Sequence, residues 1–134
     1  MKLQIASRLA IYAVLELAGK PDSQMSAAEI GGKYGISTHH LAKVLHTLGR
    51  AGLVRSVRGA HGGYQFSGNA KRTTLMEVIE LFENMGGTEN RTSDAGAESQ
   101  VGRALGQVLQ EIDDLTRATF SSITLSTMLK LMQR

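Results

Sequence analysis

The sequence predicts a mainly α-helical protein with one small β-hairpin, arranged as a winged helix-turn-helix and followed by a long C-terminal dimerisation helix. Three observations predict it. Two short helical segments flank a glycine turn and lead into two strand-like runs around a glycine-rich bend; the two halves of the chain carry opposite charge; and the C-terminal half holds an apolar seam spaced by alternating fours and threes. The chain has 134 residues, 42% hydrophobic and 20% charged, with one proline and no cysteine. That suffices for a buried core and excludes a disordered chain or a fibrous repeat.

Residues 3–18 are apolar at Leu3, Ile5, Ala6, Leu9, Ala10, Ile11, Ala13, Val14, Leu15, Leu17 and Ala18, so the first helix is buried on more than one side from Leu9 onward. Gly19, Pro21 and Asp22 stop it. Ser26-Ala-Ala-Glu29 has the spacing of a capping box, in which the serine hydroxyl takes the amide three residues on and the glutamate reaches back to the cap amide. The helix it opens ends at Gly35, a residue that tolerates positive φ. Ser37 caps the next helix, whose apolar positions Leu41, Val44, Leu45 and Leu48 fall at i, i+3, i+4 and i+7. Its outward face presents Thr38, His39, Ala42, Lys43, His46 and Arg50.

After Ala51-Gly52, the run from Leu53 to Arg58 reads as a strand, Gly59 to Gly63 as a flexible turn, and Tyr64-Gln65-Phe66 as the returning strand. Thr74-Leu-Met-Glu77 repeats the capping-box spacing and opens a helix with Leu75, Val78, Ile79 and Phe82 on its buried side. Met85 to Gln100 is glycine-rich and nearly devoid of apolar residues, a long loop of the kind that serves a function. Val101, Leu105, Val108, Ile112, Leu115 and Thr119 then draw a coiled-coil seam. A helix of about twenty residues is roughly 30 Å long, too long for the basic module to cover, and dimerisation is expected to bury Val101, Leu105, Val108, Ile112 and Leu115. Gly102 and Gly106 are one turn apart and permit close backbone approach. A last helix spans Leu125 to Met132 with Thr124 as its cap. Two modules are expected, residues 1–72 and residues 73–134, the second holding the long loop at 85–100.

Residues 1–72 carry ten Lys or Arg against three Asp or Glu, a net of +7, and residues 73–134 carry five against nine, a net of −4. A basic module joined to an acidic one suggests a polyanion partner for the first half. A helix with small, polar and basic side chains on its outer face fits the major groove of double-stranded DNA. Thr38, His39, Ala42 and Lys43 are placed for base edges, Lys43 as a donor to guanine and Ala42 against a thymine methyl. Arg55, Arg58, Lys71, Arg72 and Lys2 would contact phosphate, and Arg58 beside glycines can enter a narrow minor groove.

Other chemistries find less support. His39, His40 and His46 share one helix without a carboxylate at ligand spacing and His61 lies in the wing turn, so no metal site is expected. No nucleophile elbow, phosphate loop or zincin motif occurs, and Glu111, Asp113 and Asp114 fall on the exposed side of the long helix, so no enzyme is expected. No apolar run reaches the ~20 residues of a membrane span and no signal-peptide pattern follows Lys2, which predicts a cytoplasmic protein without a membrane partner. The runner-up is a winged-helix interaction module that binds a metabolic enzyme rather than DNA; Lys43, Arg50, Arg55 and Arg58 argue against it.

The chain resembles the Rrf2 (Rrf-two) family of bacterial transcription regulators, also called BadM or IscR/NsrR-like. The matching segments are Met1-Lys-Leu with Arg8, Ala10-Ile-Tyr-Ala-Val-Leu-Glu-Leu-Ala18, Glu29-Ile, Tyr34-Gly-Ile-Ser37, Leu48-Gly-Arg-Ala-Gly-Leu-Val-Arg-Ser-Val-Arg-Gly59, Gly62-Gly-Tyr64, Thr74-Leu-Met-Glu-Val-Ile79 and Ile123-Thr-Leu125. The resemblance implies a homodimeric repressor on a palindromic operator. It implies recognition-helix positions at Thr38, His39, His40, Ala42 and Lys43 and a minor-groove arginine at Arg58; Ser37 at the helix cap and His61 in the wing turn are expected among the DNA-contacting residues with them. Ala60 and His61 replace a proline and a glycine common in the family's wing. Many members also hold an iron-sulfur cluster through three cysteines in the loop before the dimerisation helix, and this chain has none; only by this resemblance is the loop at 85–100 a sensor position. Three explanations stand open. The chain belongs to a cluster-free branch answering to a small-molecule or protein effector; or it is a Cys-to-Ala or Cys-to-Ser form of a cluster-binding parent; or Glu, Asp or His replace the thiolates, which suits the cluster's softness least.

Overall fold

A computed structural model describes residues 3–60, 62–83 and 95–133. Its elements are α1 (Ile5–Ala18), α2 (Ala27–Tyr34), α3 (Thr38–Arg50), β1 (Val54–Val57), β2 (Gly63–Phe66), α4 (Leu75–Glu80), α5 (Gln100–Ser122) and α6 (Leu125–Met132). The order and the mainly helical class are those the sequence predicts.

The core forms around α1. Leu9, Ala10, Ile11, Ala13, Val14, Leu15, Leu17 and Ala18 are buried, and the one polar residue buried with them on α1 is Ser7, on the same stripe as Ala10, Val14 and Leu17. Its hydroxyl makes no hydrogen bond among the described residues. Onto α1 pack Ile30 of α2, Leu41, Val44, Leu45 and Leu48 of α3, Val54 of β1, Leu75, Met76, Val78 and Ile79 of α4, and Leu125 of α6, all in one cluster. Removing a side chain as large as Leu45 or Leu48 from such a site costs about 2–5 kcal/mol.

The caps carry the boundaries. Ser26 Oγ accepts from the Glu29 amide at 3.0 Å and the Glu29 carboxylate accepts from the Ser26 amide at 3.2 Å, closing the capping box. Gly35 ends α2 at φ 67°, a left-handed conformation that costs a residue with a Cβ roughly 1 kcal/mol or more. Ser37 Oγ then accepts from the His40 amide at 3.3 Å and starts α3 two residues later. The short turn makes α2 and α3 pack together and leaves one face of α3 in solvent.

β1 and β2 pair antiparallel, with Val54 opposite Phe66, Arg55 opposite Gln65, Ser56 opposite Tyr64 and Val57 opposite Gly63. β1 is shorter than expected, with Leu53 and Arg58 outside it, whereas β2 is one residue longer, gaining Gly63. Met25 adds an isolated bridge to Tyr64, so the hairpin is tied to the residue just before the α2 cap. Thr74 and Thr124 form a second bridge, with Leu75 N donating to Ile123 O and Leu125 N to Thr73 O, each at 2.9 Å. Both threonines also cap: Thr74 Oγ1 accepts from the Glu77 amide at 3.2 Å and Thr124 Oγ1 from the Thr127 amide at 3.1 Å. The starts of α4 and α6 are thereby joined. α4 stops at Glu80, short of Phe82, which packs against the core from the following turn.

α5 has 23 residues, so it runs roughly 34 Å, and none of them is buried. It begins at Gln100, within the segment expected to be loop, because Ser99 Oγ accepts from the Gly102 amide at 3.0 Å. Its C-terminal part is held to the body by an Arg117–Glu80 ion pair and by Phe120 against the core. Among the described residues no helix is long and apolar enough to cross a membrane.

Candidate nucleic-acid interface

The solvent face of α3 follows from its amphipathic spacing. With Leu41, Val44, Leu45 and Leu48 buried, the opposite side must carry Thr38, His39, His40, Lys43, His46 and Arg50, and all six are exposed. Ala42 is half-buried at the edge of that face. Ser37 is exposed but its hydroxyl is committed to the helix cap. The Thr47 hydroxyl donates to the Lys43 carbonyl at 3.3 Å, which keeps that polar group within the helix.

The hairpin stands beside α3. Between them runs a groove of about 470 Å³ lined by Leu45, His46, Gly49 and Arg50 from the helix and Val54, Arg55, Ser56 and Tyr64 from the strands. Arg50 and Arg55 give it a positive potential, and Arg58 continues the basic character just past β1, fully in solvent range. Lys71 and Arg72 are exposed in the turn after β2, where Asn69 Oδ1 accepts from the Lys71 amide at 3.0 Å. Exposed basic side chains of this kind can attract phosphate through charge, and an exposed helix face between them has the shape that base-edge contacts require.

The structure therefore places Thr38, His39, His40, Ala42 and Lys43 on one helix and Arg55 and Arg58 on the neighbouring hairpin, with a groove between. Lys2 and His61 lie outside the described residues, as does most of the expected loop, residues 85–94. His46, Ser56 and Tyr64 join the groove without having been singled out for this site. Helical spacing puts His46 on the Lys43 face, whereas Ser56 and Tyr64 become visible only through the hairpin register. Gln65, which the sequence marks only as a residue of the returning strand, is bonded on both sides. It accepts from the Arg55 guanidinium at 3.0 Å and donates to the Pro21 carbonyl at 2.8 Å.

A second polar cluster lies on another part of the surface. Lys33 is paired with Glu16, the Tyr34 hydroxyl donates to Glu16 Oε1 at 3.2 Å, and the Tyr34 ring stacks on Tyr12 with centroids 5.4 Å apart. The hydrogen bond to Glu16 and then its charge raise the Lys33 ammonium above its ordinary value. Burial, then the Glu16 charge, raises the Tyr34 phenol.

On α5, Val101, Leu105, Val108, Ile112 and Leu115 are exposed by between 51% and 78%. Ile112 and Leu115 line a shallow apolar hollow of about 320 Å³ with Thr116, Thr119 and Phe120. No group of three His, Cys, Asp or Glu side chains suited to a metal ion occurs among the described residues, and the chain has no thiolate to offer a cluster. The donor set present does not fit the cysteine-held iron-sulfur cluster that the resemblance associates with the loop before α5.

Comparison with known proteins agrees with this geometry. The family model Rrf2, described as iron-dependent transcriptional regulator, matches residues 3–131. The HTH-type transcriptional regulator BadM of Rhodopseudomonas palustris is 49% identical over 131 residues, which is 97% of this chain and 82% of that protein. Among solved structures, CymR, the global cysteine regulator of B. subtilis, superposes with a TM-score of 0.78 at 25% identity, covering 98% of each chain. The oxidized form of Staphylococcus aureus CymR gives 0.80 at 27% identity, covering 96% of each. IscR of T. potens gives 0.76 at 25% identity, covering 97% of this chain and 87% of that one.

Proposed function

The chain belongs to the Rrf2 family of transcriptional regulators, and from that premise we propose that it is a cytoplasmic, homodimeric repressor that binds a palindromic DNA operator. The observation that carries the reading is the exposed α3 face of Thr38, His39, His40 and Lys43 set beside a hairpin bearing Arg55 and Arg58. In this reading α3 enters the major groove, with Lys43 donating to guanine and Ala42 meeting a thymine methyl. Arg58 enters the adjacent minor groove, and Arg55, Lys71, Arg72 and Lys2 contact phosphate.

The apolar seam of α5 supplies the dimer. Five large apolar side chains in one line leave a soluble helix with a face that a second copy of the same helix covers. Two copies then present two α3 helices to half-sites about 34 Å apart. Since no thiolate is present, regulation in this reading passes through a small-molecule or protein effector rather than through a cluster.

Gel shifts with fragments of the source genome test the reading. Sequence-selective binding at physiological salt is expected, weakened about ten- to a hundredfold by Arg58→Ala or Lys43→Ala, the loss of one charged or base contact of roughly 1–3 kcal/mol. Binding without sequence preference, or variants with unchanged affinity, would falsify it.

A further inference from the structure

We propose that Gln65 is the positioning residue of the wing, holding the Arg55 guanidinium for a DNA phosphate without cancelling its charge. The inference rests on the DNA-binding reading and goes beyond it by assigning a role to a residue that touches no nucleic acid.

Arg55 and Gln65 are direct partners in the β1–β2 register, so their side chains rise from the same face of the hairpin. The Arg55 guanidinium donates to Gln65 Oε1 at 3.0 Å, and Gln65 Nε2 donates to the Pro21 carbonyl at 2.8 Å. A guanidinium can only donate and a proline carbonyl can only accept, so the residue between them must do both at once. A primary amide does so. A carboxylate at position 65 has no proton for Pro21 and neutralises Arg55; an alanine supplies neither bond.

Both ends of this relay are anchored. Tyr64, beside Gln65, accepts from the Met25 amide at 3.0 Å and donates to the Met25 carbonyl at 2.8 Å. The turn that contains Pro21 is closed by a bond from the Ser23 amide to the Lys20 carbonyl at 2.9 Å. Arg55 is exposed and long, and an unrestrained arginine loses considerable rotamer freedom when it settles on a phosphate. Gln65 removes part of that freedom beforehand and takes up one hydrogen bond, leaving the other guanidinium donors and the whole positive charge for the anion.

The test is a salt titration of binding to a fluorescein-labelled mixed-sequence duplex of about 30 base pairs, roughly three helical turns. It compares the wild type, Arg55→Ala, Gln65→Ala, Gln65→Glu and the Arg55→Ala/Gln65→Ala double variant. Arg55→Ala is expected to weaken binding and to lower the slope of log K against log salt by about 0.9, the loss of one phosphate contact. Gln65→Ala should weaken binding about three- to tenfold, as one hydrogen bond's worth of ordering does, with the slope unchanged. Gln65→Glu should lower the slope as Arg55→Ala does, because the charge is cancelled in place. The double variant should match Arg55→Ala alone. Overturning results are a Gln65→Ala affinity equal to wild type while Arg55→Ala is weakened, a Gln65→Ala loss that adds in full to that of Arg55→Ala, or an Arg55→Ala protein that binds as wild type. A wild-type chain that binds no DNA would instead sink the functional reading itself.

Discussion

Gly102 faces the carbonyl of Gly96 so closely that a methyl group has no room: a Cβ at position 102 would fall 2.1 Å from that oxygen and 2.7 Å from the carbonyl oxygen of Ala97. Ser99 completes the contact, its hydroxyl donating to Gly96 O at 2.6 Å and accepting from the Gly102 amide at 3.0 Å. The segment before α5 is thus folded back onto the first turn of the helix.

Gly102→Ala should therefore lower stability by about 1–3 kcal/mol, against the gain an alanine usually brings to a helix. Gly106, one turn later, has nothing within 4 Å of a Cβ, and Gly106→Ala should raise stability by up to about 1 kcal/mol. Urea denaturation of both variants measures this. A loss at Gly106 would show that a second chain approaches there.

The α5 seam makes a separate prediction. Leu105→Glu combined with Ile112→Glu leaves the body of the protein untouched, since neither side chain is buried in it, and should convert the proposed dimer to monomers in sedimentation. Operator affinity should fall with it, because one protomer spans one half-site. A dimer that survives both changes would move the interface elsewhere.

At the start of α2, Ser26→Ala removes the hydroxyl that accepts from the Glu29 amide. The expected loss is about 1 kcal/mol, seen as a lower melting temperature together with faster hydrogen exchange of the Glu29 amide. Exchange unchanged at Glu29 would mean that the capping bond contributes nothing.

The Glu16 cluster predicts the alkaline limb of the stability curve. Lys33 and Tyr34 both bind their protons more tightly folded than unfolded, the first raised from 10.5 and the second from 10.0. The stability they contribute is complete below those ordinary values and is lost as pH rises through the raised ones. Melting temperature should accordingly fall more steeply above about pH 10 in the wild type than in Glu16→Gln. The difference should be small, because Lys33 lies in solvent and exposed ion pairs contribute little. Parallel curves would show that the cluster has no linkage to pH.

The candidate DNA-binding face is largely legible in the sequence, and the reason is local. Ser37 as a cap and Leu41, Val44, Leu45 and Leu48 as a stripe leave Thr38, His39, Lys43 and Arg50 outward by geometry alone. The support beneath it was not legible. Gln65 reads as one polar residue in a short strand until the register sets it opposite Arg55 and the hairpin is laid against Pro21, 44 positions earlier in the chain. Ser7 is comparable: its place on the Ala10, Val14 and Leu17 stripe is periodic, but its complete burial depends on what packs over α1.

The sequence by itself determined the element order, the helix boundaries at Ser26, Gly35, Ser37 and Thr124, the basic first half and the apolar line along α5. Caps, glycine turns and heptad spacings act between residues within a few positions of one another, so they are written in the spacing itself. Only the tertiary structure decided that Thr74 and Thr124 join the starts of α4 and α6, that Gly102 admits the Gly96 carbonyl, and that Pro21, Gln65 and Arg55 form one relay. Two of these, the threonine bridge and the Pro21–Gln65 link, depend on segments brought together by burial of the shared core around α1; the Gly102 contact depends on how the preceding turn folds back. Hydrophobic burial is non-directional, so it draws the chain together without announcing in the sequence which polar groups will meet.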